Sequence, residues 1–314
     1  MAPLRPLLYG CHMMTAPGHL HDLAIIGGGL FGSLLGLALR AHRPDIDFAL
    51  IEKEGHFGGS FLEAAIANEI PDPIRSILDP AIVKYWPACF VNYPGRSERF
   101  EDAVLLVDPR QFHLEMVDHP QASQCFAGCT IEKIAGDKIV HSGGTLRARL
   151  IVDASDLRIQ SHLEIERLTR YRDFRLDHDL DLPILADMSA TAGDWNFLQL
   201  FPIDEERMIV EHFRHRPIAP EASIPADRDR TDSVIALATA GYRPSSAPDV
   251  AAVNFPSLLQ MASEVAAGFV ALDLTEPNIR AFFAQRTESG RARSQRMFEL
   301  VRICRGAISE QEAK

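Results

Sequence analysis

The fold is decided by the stretch His21-Asp-Leu-Ala-Ile-Ile-Gly-Gly-Gly-Leu-Phe-Gly-Ser33, followed by Phe48-Ala-Leu-Ile-Glu52. Gly27, Gly29 and Gly32 form the pattern G-x-G-x-x-G between an apolar run typical of a buried strand and a run typical of a helix. The acid that ends the second stretch lies about 20 residues beyond the last glycine, where dinucleotide-binding units carry an acid. A glycine triplet alone also occurs in ordinary turns, but this ordered combination predicts a dinucleotide site.

Each residue of the motif has a physical role in binding a dinucleotide. The first glycine permits a tight turn, the second lets the backbone approach the pyrophosphate, and the third lets helix and strand pack closely. The pyrophosphate then lies on free N–H groups at the N-terminus of the helix. Glu52 is expected to accept hydrogen bonds from a ribose.

Composition limits the possible function classes. The chain has 314 residues, enough for about two domains, and its 46% hydrophobic and 24% charged residues are typical of a globular protein. A net charge of −11 argues against nucleic acid as a partner. No apolar window approaches the ~18–20 residues of a membrane span, and no secretory signal is visible, so a cytoplasmic protein is expected. The cysteines and histidines lack the spacing of metal ligands, so no metal is expected.

The rest of the chain shows two kinds of pattern. Short strands predicted within 130–152 end at Asp153, which suits a ribose or flavin contact at the carboxyl end of a parallel sheet. An ordinary acid at a strand end explains Asp153 equally well. Further strands, predicted at 182–187, 195–201 and 207–213, indicate an antiparallel sheet. A loop is predicted at 215–232 and a strand at 233–238, and the segments 249–272 and 276–305 are predicted to be largely helical.

The order of these elements resembles that of two-domain flavoproteins and, among them, the bacterial lycopene β-cyclase family. Four segments carry the resemblance. They are Gly27–Ser33 with Glu52 and Gly58-Gly59, Trp86-Pro87 with Phe90-Val-Asn-Tyr-Pro94, Pro183-Ile-Leu-Ala-Asp187, and Phe201-Pro-Ile-Asp-Glu-Glu-Arg-Met-Ile-Val-Glu211. The first is generic to flavoproteins, whereas the last two are much more specific to this family.

The resemblance implies an α/β fold in which a Rossmann-like FAD/NAD(P)-binding domain carries an inserted antiparallel-sheet substrate domain. The expected FAD-binding domain comprises 21–60, 101–160 and 233–260, and the substrate domain comprises 61–100 and 161–232. A disordered N-terminal extension (1–20) and C-terminal helices (261–314) complete the expected organisation.

The resemblance also implies a function, which is the cyclisation of a carotenoid-like polyene end group without net redox change. FAD, kept reduced by NAD(P)H, would be held by Gly27, Gly29, Gly32, Glu52, Gly59 and Asp153. Glu211 would act as the acid and base, since a carboxyl group in an apolar pocket stays protonated near neutral pH. Without the resemblance, Glu211 would be interpreted as a solvated glutamate on an edge strand.

Departures from the family pattern keep two other functions open. Ser60-Phe-Leu-Glu63 replaces a His-Thr-Trp element, and a glycine-containing turn is represented only by Tyr242-Arg-Pro-Ser-Ser246. These changes favour a flavin oxidoreductase or monooxygenase acting on another apolar substrate. A segment of several tens of residues that usually precedes that turn is missing, which favours instead a diverged flavin-fold protein without catalysis. Six arginines between 286 and 305 accompany apolar helical stripes. Such a helix can lie on the inner face of the membrane, or it can pack in the core with a solvated arginine face.

Overall fold

The computed structural model contains a parallel sheet built around the glycine motif. β1 (Leu20–Ile26) lies between β2 (Phe48–Ile51) and β11 (Gly144–Asp153) and pairs with both in parallel. All four side chains of β2 are buried, as expected for a strand covered on both faces. Between β1 and β2 runs α1 (Leu30–His42), whose first ten residues are all buried. The predicted strand–helix–strand unit is therefore present.

The structure describes a defined set of residues between 19 and 282. They are 19–59, 61–93, 95–118, 124–155, 165–169, 173–175, 179–187, 189, 196–215, 234–236, 248–249, 252–253, 258–275 and 277–282. The expectations for 1–18, for Trp195 and for the arginine-rich segment beyond 282 lie outside this set. The boundaries of the two domains stay predictions.

The first sheet continues on both sides of the parallel strands. Its order is β8 (Cys125–Phe126), β2, β1, β11, β10 (Lys138–His141) and β9 (Ile131–Ala135), and β17 (Val234–Ala236) adds to the end of β11 in parallel. Against this sheet α1 packs together with α2 (Asp72–Leu78), α3 (Gln111–Val117) and α4 (Leu258–Val270), forming one hydrophobic core. The parallel strands and α1 place the glycine motif at the carboxyl end of the sheet.

The second large sheet contains the predicted antiparallel strands. Its order is β12 (Ile165–Thr169), β16 (Arg207–His215), β15 (Asn196–Asp204), β14 (Ile184–Asp187), β5 (Cys89–Tyr93) and β6 (Arg96–Phe100), with β13 (Asp173–Arg175) also on β16. The pairing is antiparallel throughout, except that β14 and β5 run parallel. The sheet is thus mixed. β5 and β14 lie on either side of β11 in the chain, so they are joined by the long connection that a parallel pair needs.

A small three-stranded sheet packs between the two large sheets and contributes side chains to the core of each. It consists of β3 (Glu63–Ile66), β7 (Val104–Val107) and β4 (Ile82–Trp86). Leu105 and Val107 belong to the core around α1, whereas Val104 and Leu106 pack in a second core with Trp86, Phe201 and Ile209. Alternate side chains of one strand therefore face the two cores, as the period of a strand requires.

The structure corrects the helix predicted to begin at Asp249. There, β18 (Pro248–Asp249) and β19 (Ala252–Val253) form a two-stranded ladder, and α4 begins only at Leu258. The physical reason is Pro256, which cannot occupy a helix interior and so delays the start of the helix. A helical turn is also present at 277–282. No helix among the described residues is long and apolar enough to cross a membrane.

Candidate functional site

The glycine loop joins β1 to α1 at the carboxyl end of the parallel sheet. Gly27 has a φ of +94°, in the left-handed region that favours glycine, and a Cβ there would overlap the backbone at Ser155. A Cβ on Gly32 would overlap the carbonyl oxygen of Gly27. Gly29 is the N-cap residue of α1 and makes no side-chain cap, and the first turn of α1 carries no acid. The first N–H groups of α1 can therefore receive a phosphate.

Glu52 is fixed by the main chain beside this loop. Its side chain is buried, its Oε2 accepts a hydrogen bond from the Gly28 N–H at 2.5 Å, and its Oε1 accepts one from the Glu54 N–H at 2.8 Å. A carboxylate offers about four acceptor positions, so Glu52 retains capacity for ribose hydroxyls. This geometry suits the predicted role of Glu52 in binding a ribose.

Ser33 connects the glycine loop to the Gly58-Gly59 pair, and sequence reasoning assigned it no role. Its hydroxyl donates to the Gly28 carbonyl oxygen at 2.6 Å and accepts from the Gly58 N–H at 2.9 Å. Gly59 stands next to the N-terminus of α1, since a Cβ there would lie 3.6 Å from the Leu30 nitrogen. The only sequence signal for Ser33 is that it directly follows the third glycine.

Asp153 ends β11 directly beside the glycine loop. It lies opposite Ile26 in the parallel ladder, and the Ala154 N–H donates to the Ile26 carbonyl oxygen at 2.6 Å. Its buried carboxylate accepts hydrogen bonds from the Ser155 N–H and hydroxyl at 2.9 and 2.6 Å. The structure therefore brings the predicted cofactor residues Gly27, Gly29, Gly32, Glu52, Gly59 and Asp153 to one end of the sheet.

Glu211 lies elsewhere, on β16 of the second large sheet. It is 5% exposed and pairs with Gln199 of β15, and both side chains continue the face on which Phe201 and Ile209 pack in the second core. The alternative of a solvated glutamate on an edge strand therefore does not fit: β16 pairs on both sides, with β15 and β12. Asp187, which ends the Pro183-Ile-Leu-Ala-Asp187 segment, is held by Asn92 and Ser189.

Gln199 is a residue that sequence reasoning did not identify as functional. Its side chain is fully buried, yet neither its carboxamide nitrogen nor its oxygen has a hydrogen-bond partner among the described residues. The indole N–H of Trp86, whose ring centroid lies 6.1 Å from that of Phe201, also lacks one there. Buried polar groups are normally paired. These groups therefore mark the Glu211 face as a place where a ligand or ordered water can bind.

The structure brings together a third group of polar side chains that the sequence analysis did not anticipate. His19, His21 and Asp47 present three ligand atoms within 4.8 Å of one another, at the end of β1 opposite the glycine loop. The signal that could have revealed them is the His-x-His spacing at the start of a strand, because residues two apart share a face.

These observations define a class of fold, an α/β fold with a Rossmann-like nucleotide-binding unit and a second, largely antiparallel sheet, and comparison with solved structures confirms the predicted fold class. The structure of pqsL, a probable FAD-dependent monooxygenase from Pseudomonas aeruginosa, matches with a TM-score of 0.55 at 16% identity and covers 89% of this chain and 95% of that one. HpxO from Klebsiella pneumoniae, solved in complex with FAD, matches with a TM-score of 0.54 at 14% identity over 88% of both chains.

Sequence comparison identifies the particular family. The family model described as lycopene cyclase protein matches residues 22–224, and the chain belongs to this family, as the resemblance predicted. The lycopene beta-cyclase of Pseudescherichia vulneris is 22% identical over 201 residues, which cover 62% of this chain and 52% of that protein. The lycopene beta-cyclase of Paracoccus sp. (strain N81106 / MBIC 01143) is also 22% identical over 201 residues, with 62% and 51% covered. The chain thus spans about half the length of these relatives.

Proposed function

We propose that this chain is a FAD-binding enzyme that cyclises the end group of a carotenoid-like polyene. One observation carries the proposal: Glu211 is a buried carboxyl group on a sheet face next to a core of aromatic and aliphatic side chains. Glu211 also ends the segment that resembles the family's acid-bearing segment, and it lies within the residues that the family model matches. Apolar surroundings favour the protonated form of a carboxyl group, which is the form that can donate a proton.

The residues at the glycine loop fit a dinucleotide such as FAD. The uncapped N-terminus of α1 would receive the pyrophosphate, and Glu52 and Asp153 would accept hydrogen bonds from hydroxyl groups. In this proposal, bound FAD that NAD(P)H keeps reduced supplies electron density that stabilises a carbocation. A Cβ at Gly29 would meet no protein atom within 4 Å, so the space beside this glycine is open for the approach of a cofactor to the loop.

The proposed chemistry is a proton transfer that leaves the substrate formula unchanged. Glu211 donates its proton to the terminal double bond, and the resulting cation is attacked by a second double bond of the same chain, which forms the ring bond. The ring cation then loses a proton to the Glu211 carboxylate, which restores the protonated acid for the next cycle. Aromatic side chains on this face, such as Phe201, can stabilise a cation through their ring faces.

The test is expression of the chain in a bacterial host that accumulates lycopene, with the pigments separated by chromatography. We expect a monocyclic or bicyclic carotene from the wild type and none from Glu211→Gln. The matched control is Glu206→Gln, which changes an exposed glutamate at the turn of the same β15–β16 hairpin and should keep full activity. Unchanged lycopene in the presence of folded protein that carries flavin would overturn the cyclase proposal.

A second candidate function is oxidation or hydroxylation of another substrate by bound flavin, and the buried carboxamide of Gln199 favours it. A hydrocarbon polyene cannot hydrogen-bond to this group, whereas a substrate with a hydroxyl or carbonyl group can. This function predicts oxidised flavin in the purified protein and NAD(P)H oxidation that a substrate accelerates. Purified protein that binds no added FAD would instead favour a flavin-fold protein without catalysis.

An apolar substrate also implies contact with a membrane, where such molecules dissolve. We include in the proposal that the arginine-rich segment between 286 and 305 attaches the protein to the inner face of the membrane. Co-sedimentation with anionic vesicles tests this contact, and vesicles of neutral lipid are the control. Equal recovery of the protein with both kinds of vesicle would contradict it.

A further inference from the structure

The start of β1 carries two histidines that converge on one carboxylate. His19 and His21 lie on the same side of the chain, two residues apart, and Asp47 directly precedes β2. The Asp47 Oδ2 atom lies 2.6 Å from His19 Nε2 and 3.0 Å from His21 Nδ1. The two imidazole rings meet edge to face with their centroids 4.5 Å apart. Two elements distant in sequence thus bring three ligand atoms to one point.

We infer that His19, His21 and Asp47 form a binding site for a divalent transition metal of the zinc class. Two imidazole nitrogens and a carboxylate oxygen are ligands that suit Zn²⁺, Co²⁺, Ni²⁺ or Cu²⁺, whereas Mg²⁺ and Ca²⁺ prefer a shell of oxygens. A metal between these atoms replaces the hydrogen bonds that now join them. This inference replaces the expectation from the sequence that the chain binds no metal.

The surroundings of the three residues suit such a site. His21 is 1% exposed and Asp47 30%, so two ligands are held by the protein, whereas His19 is 45% exposed and leaves a path for an ion from solvent. The carboxamide of Gln124 donates to the other carboxylate oxygen of Asp47, and this contact fixes the orientation of the carboxylate. Three protein ligands leave a fourth position for water, as in an open zinc site.

The position of this site indicates a structural role. β1 has seven residues, so its two ends are about 20 Å apart at roughly 3.3 Å per residue. The glycine loop is at one end and the histidines are at the other, which places the metal far from the bound cofactor of the proposed function. A metal here would join the start of β1 to the start of β2. The inference is therefore independent of the proposed function.

Isothermal titration calorimetry with ZnCl₂ tests the inference. The protein is the full chain, with any affinity tag removed and after dialysis against a chelator. We expect one Zn²⁺ per chain, a dissociation constant in the micromolar range or tighter, and an unfolding midpoint that rises with zinc concentration. MgCl₂ should give no heat beyond dilution. Absence of saturable zinc binding would overturn the inference.

Variants locate the bound ion. His19→Ala and Asp47→Asn should each weaken zinc binding at least tenfold. Because the His19 side chain is 45% exposed, its removal should leave the protein folded, so weaker binding would report the loss of a ligand. The matched control is His42→Ala, which removes an exposed histidine whose Nε2 contacts the Pro73 carbonyl oxygen instead. Unfolding measured in chelator confirms that each variant is folded. Zinc affinity unchanged in both ligand variants, or lost equally in the control, would also overturn the inference.

Discussion

The glycine loop and the Glu211 face differ in how completely their polar groups are satisfied. At the loop, the carboxylates of Glu52 and Asp153 accept hydrogen bonds from the main chain, and the backbone fills the space a side chain would need at Gly27. On the Glu211 face, the Gln199 carboxamide is buried without a partner among the described residues. The first region is organised before any ligand arrives, whereas the second carries hydrogen-bonding capacity that a ligand can use.

The largest effect is expected from Gly32→Ala, which tests whether the loop is as rigid as its packing indicates. The added methyl group would overlap the Gly27 carbonyl oxygen, a backbone atom that cannot move without moving β1. We expect the free energy of unfolding to fall by about 2–3 kcal/mol and FAD binding to be lost. Urea unfolding and flavin fluorescence titration measure the two effects.

The control for this variant is Gly55→Ala, because a Cβ at Gly55 meets no atom within 4 Å. It should change neither stability nor FAD affinity appreciably. If Gly32→Ala bound FAD as well as the control does, the close approach of helix and strand would not matter for the site.

The next effect in size is expected from Glu52→Gln. The neutral amide replaces an oxygen that accepts from the Gly28 or Glu54 N–H by an NH₂ group that cannot accept. Hydrogen bonds to a charged group contribute about 1.5–3 kcal/mol, so we expect a loss of stability in that range and weaker FAD binding. The control is Glu54→Gln, whose carboxylate is 64% exposed. Equal stability of the two variants would show that the Glu52 carboxylate does not organise the loop.

The Glu211 face should respond in the opposite direction. Gln199→Leu replaces a buried unpaired amide by an apolar group of similar size, and such a change can stabilise a protein. We expect the free energy of unfolding to rise by about 1 kcal/mol, together with lower turnover if the carboxamide contacts the substrate. Gln199→Met, which keeps the unbranched shape, is the second variant. If the free energy of unfolding instead fell by more than about 1 kcal/mol in both variants, the Gln199 carboxamide would be hydrogen-bonded in solution.

The same contrast explains what could be predicted from the sequence. The glycine loop depends on residues close together in the chain, so the sequence predicts its strand, helix and acid. The strand predicted at 207–213 likewise begins at the same residue as β16. The partner of Glu211 depends on the register of the β15–β16 ladder, which no local pattern specifies. The short strands β3 and β4 were missed because prolines punctuate that segment. The convergence of His19 and His21 on Asp47 requires the pairing of β1 with β2.

The smallest effect concerns pH, and it acts through two histidines on the side of the molecule that carries the glycine loop. Burial lowers the pKa of His113 below its usual value near 6.5, and nearby His56 lowers it further while Asp118 opposes this. His113 accepts a hydrogen bond from the Phe57 N–H at 3.3 Å, next to Gly58 of the cofactor region. Burial also lowers the pKa of His141, against the opposing charge of Glu132. Both histidines are therefore neutral in the folded protein at neutral pH.

Acidification should therefore lower the free energy of unfolding of the protein. The unfolded chain takes up these protons near pH 6.5, above the lowered folded pKa values, so the folding stability is fully present above pH 6.5. It falls as the pH decreases from there toward those values, by at most about 1.4 kcal/mol per pH unit for each histidine. Urea unfolding between pH 7.5 and 5.5 measures this slope, and His113→Asn should reduce it.

A protonated His113 can no longer accept the Phe57 N–H, so FAD should dissociate on acidification more readily from the wild type than from His113→Asn. An identical pH profile of FAD release in the two proteins would mean that the contact between His113 and Phe57 does not support the loop.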